Sequence, residues 1–221
     1  MDSLQNSKLT ALQWDVLTAF FERNKQFFLT GEAALAGFHL KHRETHDLDL
    51  FTLEDALDHG TAVLGEIARQ FIGSLESLRT SPDFRRFIMR RGDEAVVIDL
   101  VRDRVVQSCV EKTEVNGIRV DPPKEILANK LCTLLARSEI RDLVDVRELE
   151  RAGYSIEGAF PAAMAKDGGL TPAQLGWVLS QIELGSDLIP PGGVSADELR
   201  QYLQDLMGRL ARLAFPQSSR S

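Results

Sequence analysis

The stretch FFLTGEAALAGFHLKHRETHDLDLF, residues 27–51, holds the densest structural signals in the chain. Gln26–Thr30 is short, apolar and aromatic, which favours a buried strand. Gly31 permits a tight turn after that strand, and the apolar spacing of Glu32–His39 predicts a short helix packed on a sheet. Asp47–Phe51 then alternates between polar and apolar residues, which predicts a second strand.

Two carboxylates on this second strand are the strongest functional signal. Asp47 and Asp49 project to the same side, because side chains alternate along a strand. Carboxylate oxygens arranged in this way suit Mg²⁺ or Mn²⁺. Asp99 interrupts the apolar run AVVIDLV and is a candidate third ligand for a two-metal phosphoryl-transfer site. The alternative is that Asp99 lies at a strand end and faces solvent.

The turn and the loop between these strands add phosphate-binding signals. Gly31 lets the backbone approach a phosphate, and the amides that follow it are donors. The basic loop around Lys41 and Arg43 leads into the aspartate strand, so it either contacts a triphosphate or an RNA backbone or forms a solvated turn. Together these features predict a metal-dependent phosphate site.

Patterns elsewhere predict a mixed sheet followed by helices. Thr52 and Asp55 have the spacing of a capping box that would begin a helix. The other predicted elements of the first half are a helix at Leu9–Arg23, strands at Phe84–Arg91 and Ala95–Val101, and an Asn116-Gly117 hairpin within Thr113–Val120. Those of the second half are two helices within Lys124–Glu150 that meet near Ser138, two further helices starting at Thr171 and Ser195, and a frayed tail at Phe215–Ser221.

Bulk composition narrows the class of protein. The 221 residues carry a formal net charge of −7, which argues against broad charge-driven nucleic-acid binding but leaves room for a local basic groove. Two cysteines without CxxC or Cys/His spacing suggest neither a disulfide framework nor a zinc site. The chain contains no run of about eighteen apolar residues, and its first residues lack the pattern of a secretory signal. We therefore expect a cytoplasmic protein with no membrane role.

Three runs give the chain a resemblance to a known family. TGEAALAGFHLKHRETHDLDLFT, VVIDLV and NKLCTLLARSEIRDLVDVREL resemble the AbiEii/AbiGii nucleotidyltransferase toxins of the DNA polymerase β-like superfamily, over about Phe27–Leu149. The resemblance implies an α/β (α+β) nucleotidyltransferase fold: a mixed sheet flanked by helices, followed by an α-helical C-terminal region. We place the nucleotidyltransferase core at residues 1–121 and the helical region, with a distal Lys/Asp motif, at residues 122–221.

The same resemblance implies roles for particular residues. Asp47, Asp49 and Asp99 would be catalytic ligands of Mg²⁺ or Mn²⁺. Nucleotide contacts are implied for residues of the phosphate turn and the basic loop: Thr30, Gly31, Glu32, Lys41 and Arg43. The family has Gly-Gly or Gly-Ser at this turn, whereas this chain has Gly31-Glu32, which puts a carboxylate beside the expected triphosphate.

The distal motif supplies the remaining implied site residues. Lys130 would contact nucleotide phosphates, and Asp142 or Asp145 would position the acceptor or act as a base. Arg137 and Arg141 are secondary phosphate candidates. The alternative is that these residues, which fall at helical intervals, form exposed salt bridges.

The implied reaction moves a nucleoside monophosphate from an NTP to a hydroxyl of RNA, such as a tRNA end, or of a protein. The implied setting is a toxin of a toxin–antitoxin or phage-defence pair, with a cognate antitoxin as partner. A second hypothesis is a catalytically weak nucleotidyltransferase-fold protein that binds or regulates partners, which Glu32 favours. A third is an antitoxin or a sugar-modifying transferase on the same fold, because fold does not settle the acceptor.

Overall fold

The chain divides into two compact units. A computed structural model describes residues 7–185 and 187–215. The first unit runs to Val105 and resumes over Cys109–Pro122, and the second takes Val106–Ser108 and continues from Pro123. Most of the predicted tail, residues 216–221, lies outside the described residues.

The first unit is built on a mixed sheet. Its strands are β1 Phe27–Thr30, β2 Asp47–Thr52, β3 Ser74–Ser81, β4 Phe84–Arg91, β5 Glu94–Arg102, β6 Thr113–Val115 and β7 Ile118–Val120. In the described part of the chain these seven strands pair in the order β3-β4-β5-β2-β1-β7-β6. β2 runs parallel to β5 and antiparallel to β1, so the prediction of a mixed sheet is confirmed.

Helices of the first unit cover one face of this sheet. They are α1 Ala11–Arg23, α2 Gly31–Ala34 with a π-helical turn at Leu35–His39, and α3 Leu57–Gln70. Helix α2 contacts the central strands β1 and β2. The core under α1 and α3 is aromatic: Phe20 and Phe27 are fully buried, with ring centroids 5.4 Å apart in an edge-to-face arrangement. Burial of each such ring stabilises the fold by about 1.5–3 kcal/mol. Gly60 of α3 permits this packing, because a Cβ there would lie 2.8 Å from the Phe27 ring.

One arginine of β4 shows which face the helices cover. Arg85 donates to Oγ1 of Thr61 in α3 at 2.7 Å, so its side chain lies on the helix-covered face. Its neighbour Arg86 points to the opposite face, because side chains alternate along a strand. The second face of β4, β5 and β2 is the one that concerns function.

The second unit is helical throughout its described elements. Its helices are α4 Pro123–Arg137, α5 Ile140–Arg151, α6 Ile156–Lys166, α7 Pro172–Leu179 and α8 Ala196–Ala214. Ser138 turns the chain between α4 and α5 with φ 51°, at the predicted junction. Thr171 and Ser195 cap α7 and α8 as predicted, and Glu198 completes the capping box of α8. None of the helices in the described residues has the length and apolar character that a membrane crossing needs.

One expectation about secondary structure is wrong, and two elements were not predicted. Thr52 does not cap a helix: it ends β2, its hydroxyl accepts from the Glu54 amide at 3.1 Å, and α3 begins at Leu57. The pattern also missed α6, because Gly158 and Pro161 lie inside that helix. It missed β3 because most of this edge strand is exposed on both faces, so it lacks the alternation that marks a half-buried strand.

Candidate active site

Strand register brings the predicted carboxylates to one face of the sheet. Asp49 lies opposite Thr30 of β1 on one side and opposite Asp99 of β5 on the other. Arg86 of β4 lies opposite Asp99 in turn. Opposite residues on neighbouring strands point to the same face, with Cβ atoms about 5 Å apart. Asp47 shares the face because it is two residues from Asp49, and we call Asp47, Asp49, Asp99 and Arg86 the carboxylate row.

Burial along β2 confirms the predicted alternation. Asp47 and Asp49 are partly exposed, whereas Leu48 and Leu50 between and beyond them are fully buried. The two leucines anchor the strand in the core while the two carboxylates remain accessible. Asp99 is only 5% exposed, so it does not face solvent at a strand end.

Arg86 holds the buried carboxylate of the row. Its Nε donates to Oδ1 of Asp99 at 2.8 Å and its Nη2 to Oδ2 at 2.6 Å, a two-point ion pair. The hydrogen bonds from Arg86 to Asp99 raise the pKa of Arg86 above its ordinary value, and the charges of Asp47 and Asp49 raise it further. The guanidinium is therefore charged at every physiological pH.

Gly31 makes room for the carboxylate row at the predicted phosphate turn. Its φ is +63°, in the left-handed region that glycine adopts most easily. A Cβ at this position would collide with Oδ2 of Asp49 and lie 3.1 Å from its Cγ. The turn and the Asp49 carboxylate thus touch, which ties the glycine to the site through a direct contact.

A buried ion pair anchors the strand that ends at this turn. Thr30 donates from Oγ1 to Oδ2 of Asp121 at 2.6 Å, so its hydroxyl is engaged beside the row. Lys112 lies 2.6 Å from the other oxygen of Asp121, and both side chains are 1% exposed. His39 Nε2 donates to the Asp121 carbonyl at 2.8 Å, and burial lowers the pKa of this histidine. These contacts fix the end of β1 against the chain that follows β7.

The basic loop neutralises the acid beside the phosphate turn. Nη1 of Arg43 donates to Oε2 of Glu32 at 3.0 Å, and Nη2 lies 3.0 Å from Oε1. Both side chains are largely buried, at 6% exposure for Arg43 and 13% for Glu32. Glu32 therefore does not present an uncompensated negative charge next to the turn. Lys41 lies in the same loop, partly exposed, with φ 54°.

Residues of the distal motif form ion pairs between α4 and α5 of the second unit. Lys130 of α4 reaches Oδ1 of Asp142 at 2.7 Å and Oδ2 of Asp145 at 2.6 Å. Arg137 adds two bonds to Asp142, at 2.8 and 3.1 Å. We call Lys130, Arg137, Asp142 and Asp145 the lysine cluster. The alternative of exposed salt bridges is wrong for Lys130, Asp142 and Asp145, because both aspartates are fully buried and Lys130 is 5% exposed. It holds for Arg137, whose side chain is 43% exposed.

Electrostatics within the lysine cluster favour the ionised form of Asp142. Burial raises the pKa of Asp142, but the Arg137 hydrogen bonds and the Lys130 charge outweigh it and bring the pKa below its ordinary value. Arg141 bonds Glu139 at the start of α5, half exposed. The cluster joins α4 to α5, and the catalytic roles of its members stay predictions.

A comparison with known families decides the identity of the fold. The family model described as nucleotidyl transferase AbiEii toxin, type IV TA system, matches residues 15–217. The chain belongs to the AbiEii family. Membership makes it a nucleotidyltransferase, and a toxin–antitoxin family implies an NTP substrate and a cognate antitoxin.

Solved structures share this AbiEii fold. MenT4, a nucleotidyltransferase toxin from Mycobacterium tuberculosis, has a TM-score of 0.60 at 14% identity, over 91% of this chain and 82% of that one. JHP933 from Helicobacter pylori has a TM-score of 0.58 at 17% identity, over 91% of each chain. At these identities the likeness shows the fold. No curated protein sequence matches the chain significantly.

Two ion pairs of this AbiEii protein, Arg86–Asp99 and Lys112–Asp121, were not predicted from the sequence. Arg86 had a usable signal: the Gly92–Asp93 turn sets Arg91 opposite Glu94, and counting back along both strands sets Arg86 opposite Asp99. The pair of Lys112 and Asp121 had no such signal. Neither residue belongs to a periodic pattern, and a hairpin separates them in the sequence.

Proposed function

We propose that this AbiEii protein transfers a nucleoside monophosphate from an NTP to a hydroxyl of RNA or of a protein, with release of pyrophosphate, in a reaction that depends on a divalent cation. The observation that carries the proposal is the placement of Asp49 between Gly31 and Asp99 on the open face of the sheet. A partly exposed carboxylate pair beside a glycine turn is suited to a cation and the phosphates it accompanies.

The donor set of β2 fits a divalent cation. Asp47 and Asp49 are partly exposed, and their carboxylates lie on one face of the strand, two residues apart. Bound there, Mg²⁺ or Mn²⁺ would neutralise charge on the α-phosphate and increase the acidity of a hydroxyl nucleophile. Asp99 is not equivalent to these two, because Arg86 bonds both of its oxygens.

The phosphate turn positions the NTP in this proposal. The absence of a side chain at Gly31 leaves Asp49 in place and lets the backbone amides approach the phosphates closely. The Glu32–Arg43 pair keeps the turn close to electrically neutral. The feature that favoured a catalytically weak binding protein is thereby compensated within the loop.

We assign the lysine cluster a positioning role in the second unit. Lys130 bridges two aspartates of α5 and so fixes the angle between α4 and α5. Contact of Lys130 with nucleotide phosphates, and a base or acceptor-positioning role for Asp142 or Asp145, remain proposals from the family motif. Arg137 and Arg141 remain secondary phosphate candidates, and each is already ion-paired, Arg137 with Asp142 and Arg141 with Glu139.

The test is label transfer from α-labelled NTPs in the presence of Mg²⁺, with total RNA and cell protein as separate acceptor pools. We expect label in one pool, loss of transfer with chelator, and loss of transfer in Asp49→Asn. The control is Asp205→Asn, an exposed aspartate of α8, which should transfer label like the wild type. Failure with every NTP and both pools would favour a protein that binds partners without catalysis.

A further inference from the structure

We infer that Arg86 is a fixed counter-cation of the carboxylate row, in the place of a second divalent cation, so that the row binds one divalent cation through Asp47 and Asp49. The inference rests on the proposed function for that one cation. It departs from the two-metal arrangement that three acids would suggest.

Asp99 does not fit as a ligand while Arg86 holds it. The two guanidinium nitrogens lie 2.8 and 2.6 Å from its two oxygens, and the carboxylate is 7% exposed. A dication bridging Asp49 and Asp99 would lie against a permanent positive charge. The repulsion is strong where the pair is partly buried and solvent screens it least.

Packing on the strand keeps Arg86 in this position. The Arg86 guanidinium carbon lies 5.7 Å from the centroid of the Phe84 ring, on the same face of β4. The guanidinium carbon of Arg79 in β3 lies 5.6 Å from the centroid of the same ring, so two arginines contact Phe84. A cation–π contact and a two-point ion pair act together on one guanidinium, which favours a permanent partner over one that swings away.

Arg86 compensates the charge of Asp99 through both of its oxygens, without being a metal ligand.

The experiment is a titration of the full chain with Mn²⁺ alone, in which the electron paramagnetic resonance signal of free Mn²⁺ measures binding. The wild type is expected to bind one Mn²⁺ per chain, and Asp49→Asn to bind at least about tenfold more weakly because a ligand is lost. Arg86→Gln exposes three carboxylates and is expected to bind Mn²⁺ at least about tenfold more tightly. Arg86→Lys keeps the charge and is expected to remain near the wild type.

The deciding variant is the double substitution Arg86→Gln with Asp99→Asn. It removes both members of the pair and leaves the net charge of the row unchanged, so its Mn²⁺ affinity is expected within about threefold of the wild type. A loss in the double variant as large as that in Asp49→Asn would show Asp99 to be a ligand and overturn the inference. Two Mn²⁺ per wild-type chain, or no gain in Arg86→Gln, would overturn it as well.

Label transfer on the same samples separates this inference from the proposed function. If the wild type transfers label but the Mn²⁺ affinities of the variants differ from those expected, only the role of Arg86 is ruled out. If the Mn²⁺ affinities are as expected but no acceptor is labelled, only the proposed function is ruled out. Circular dichroism melting of each variant excludes unfolding as the cause of a lost signal.

Discussion

The carboxylate row and the lysine cluster both pair aspartates with basic side chains, and they differ in burial. In the row, Arg86 is 44% exposed and bonds Asp99, whereas Asp47 and Asp49 are partly open to solvent. In the lysine cluster, two fully buried aspartates bond Lys130, and one of them also bonds Arg137. Partly exposed carboxylates are suited to binding a cation, whereas a buried ion pair makes each partner necessary for stability, because removal of one leaves the other charge buried and unpaired.

The largest effect is expected from breaking the closed cluster. Lys130→Ala leaves two buried aspartates without their shared cation, and we expect the free energy of unfolding to fall by roughly 3–5 kcal/mol. Denaturant unfolding followed by circular dichroism measures the loss. Lys124→Ala, an exposed lysine of the same helix, should change stability by no more than about 0.5 kcal/mol. Equal effects of the two substitutions would show that the lysine cluster does not hold the helices.

Gly31→Ala should damage the carboxylate row through geometry. The new Cβ collides with Asp49, and a shift of about 1 Å at a catalytic group lowers the rate on the order of 100-fold. The measurement is the single-turnover rate of label transfer. Gly92→Ala is the matched control, since its φ of 57° imposes similar backbone strain while a Cβ there meets nothing within 4 Å. If both variants lose activity equally, strain rather than contact with Asp49 is the cause.

Lowering the pH should weaken the lysine cluster. The pKa of Asp142 is depressed in the folded state, so its stabilising contribution is complete above the unfolded-state value of about 3.9 and is lost as pH falls through the lower folded value. Asp142→Asn should therefore be less stable than the wild type at pH 7 and show a flatter decline below about pH 4. Unfolding free energies between pH 7 and 3 give both slopes. Asp205→Asn should keep the wild-type slope.

The smallest expected effect lies beside the row. Arg43→Ala leaves Glu32 uncompensated near the phosphate turn, and the KM for NTP should rise roughly tenfold through repulsion. Adding Glu32→Gln should restore the KM, because the repelling charge is then gone. A double variant as weak as Arg43→Ala would mean that Arg43 itself binds the triphosphate.

Local signals accounted for the parts of the fold that depend on neighbours in sequence. The alternation in Asp47–Thr52 and the Asn116-Gly117 turn were sufficient to predict strands and a hairpin that the structure contains. Edge strand β3 was not predictable in this way, because a strand exposed on both faces has no apolar periodicity. Helix α6 was missed because its internal proline and glycine are also signs of a loop.

The candidate site also contains features that depend on sequence neighbours and features that depend on long-range contacts. The pairing of Asp47 with Asp49 follows from alternation within one strand, but the partner of Asp99 depends on the register between two strands. Burial of Lys130 could not be read from helical spacing, because the same spacing describes an exposed face and a buried one. The ion pair between Glu32 and Arg43 depends on the conformation of the loop, which the periodicity of the sequence does not predict.

In our proposal the carboxylate row performs the chemistry, and other contacts stabilise the fold. Asp49→Asn separates the two through the single-turnover rate of label transfer at saturating Mg²⁺ and NTP, with the melting temperature taken on the same sample. We predict a rate lower on the order of 100-fold or more at an unchanged melting temperature. A rate equal to that of the wild type, or a loss of rate matched by unfolding, would rule out a catalytic role for Asp49.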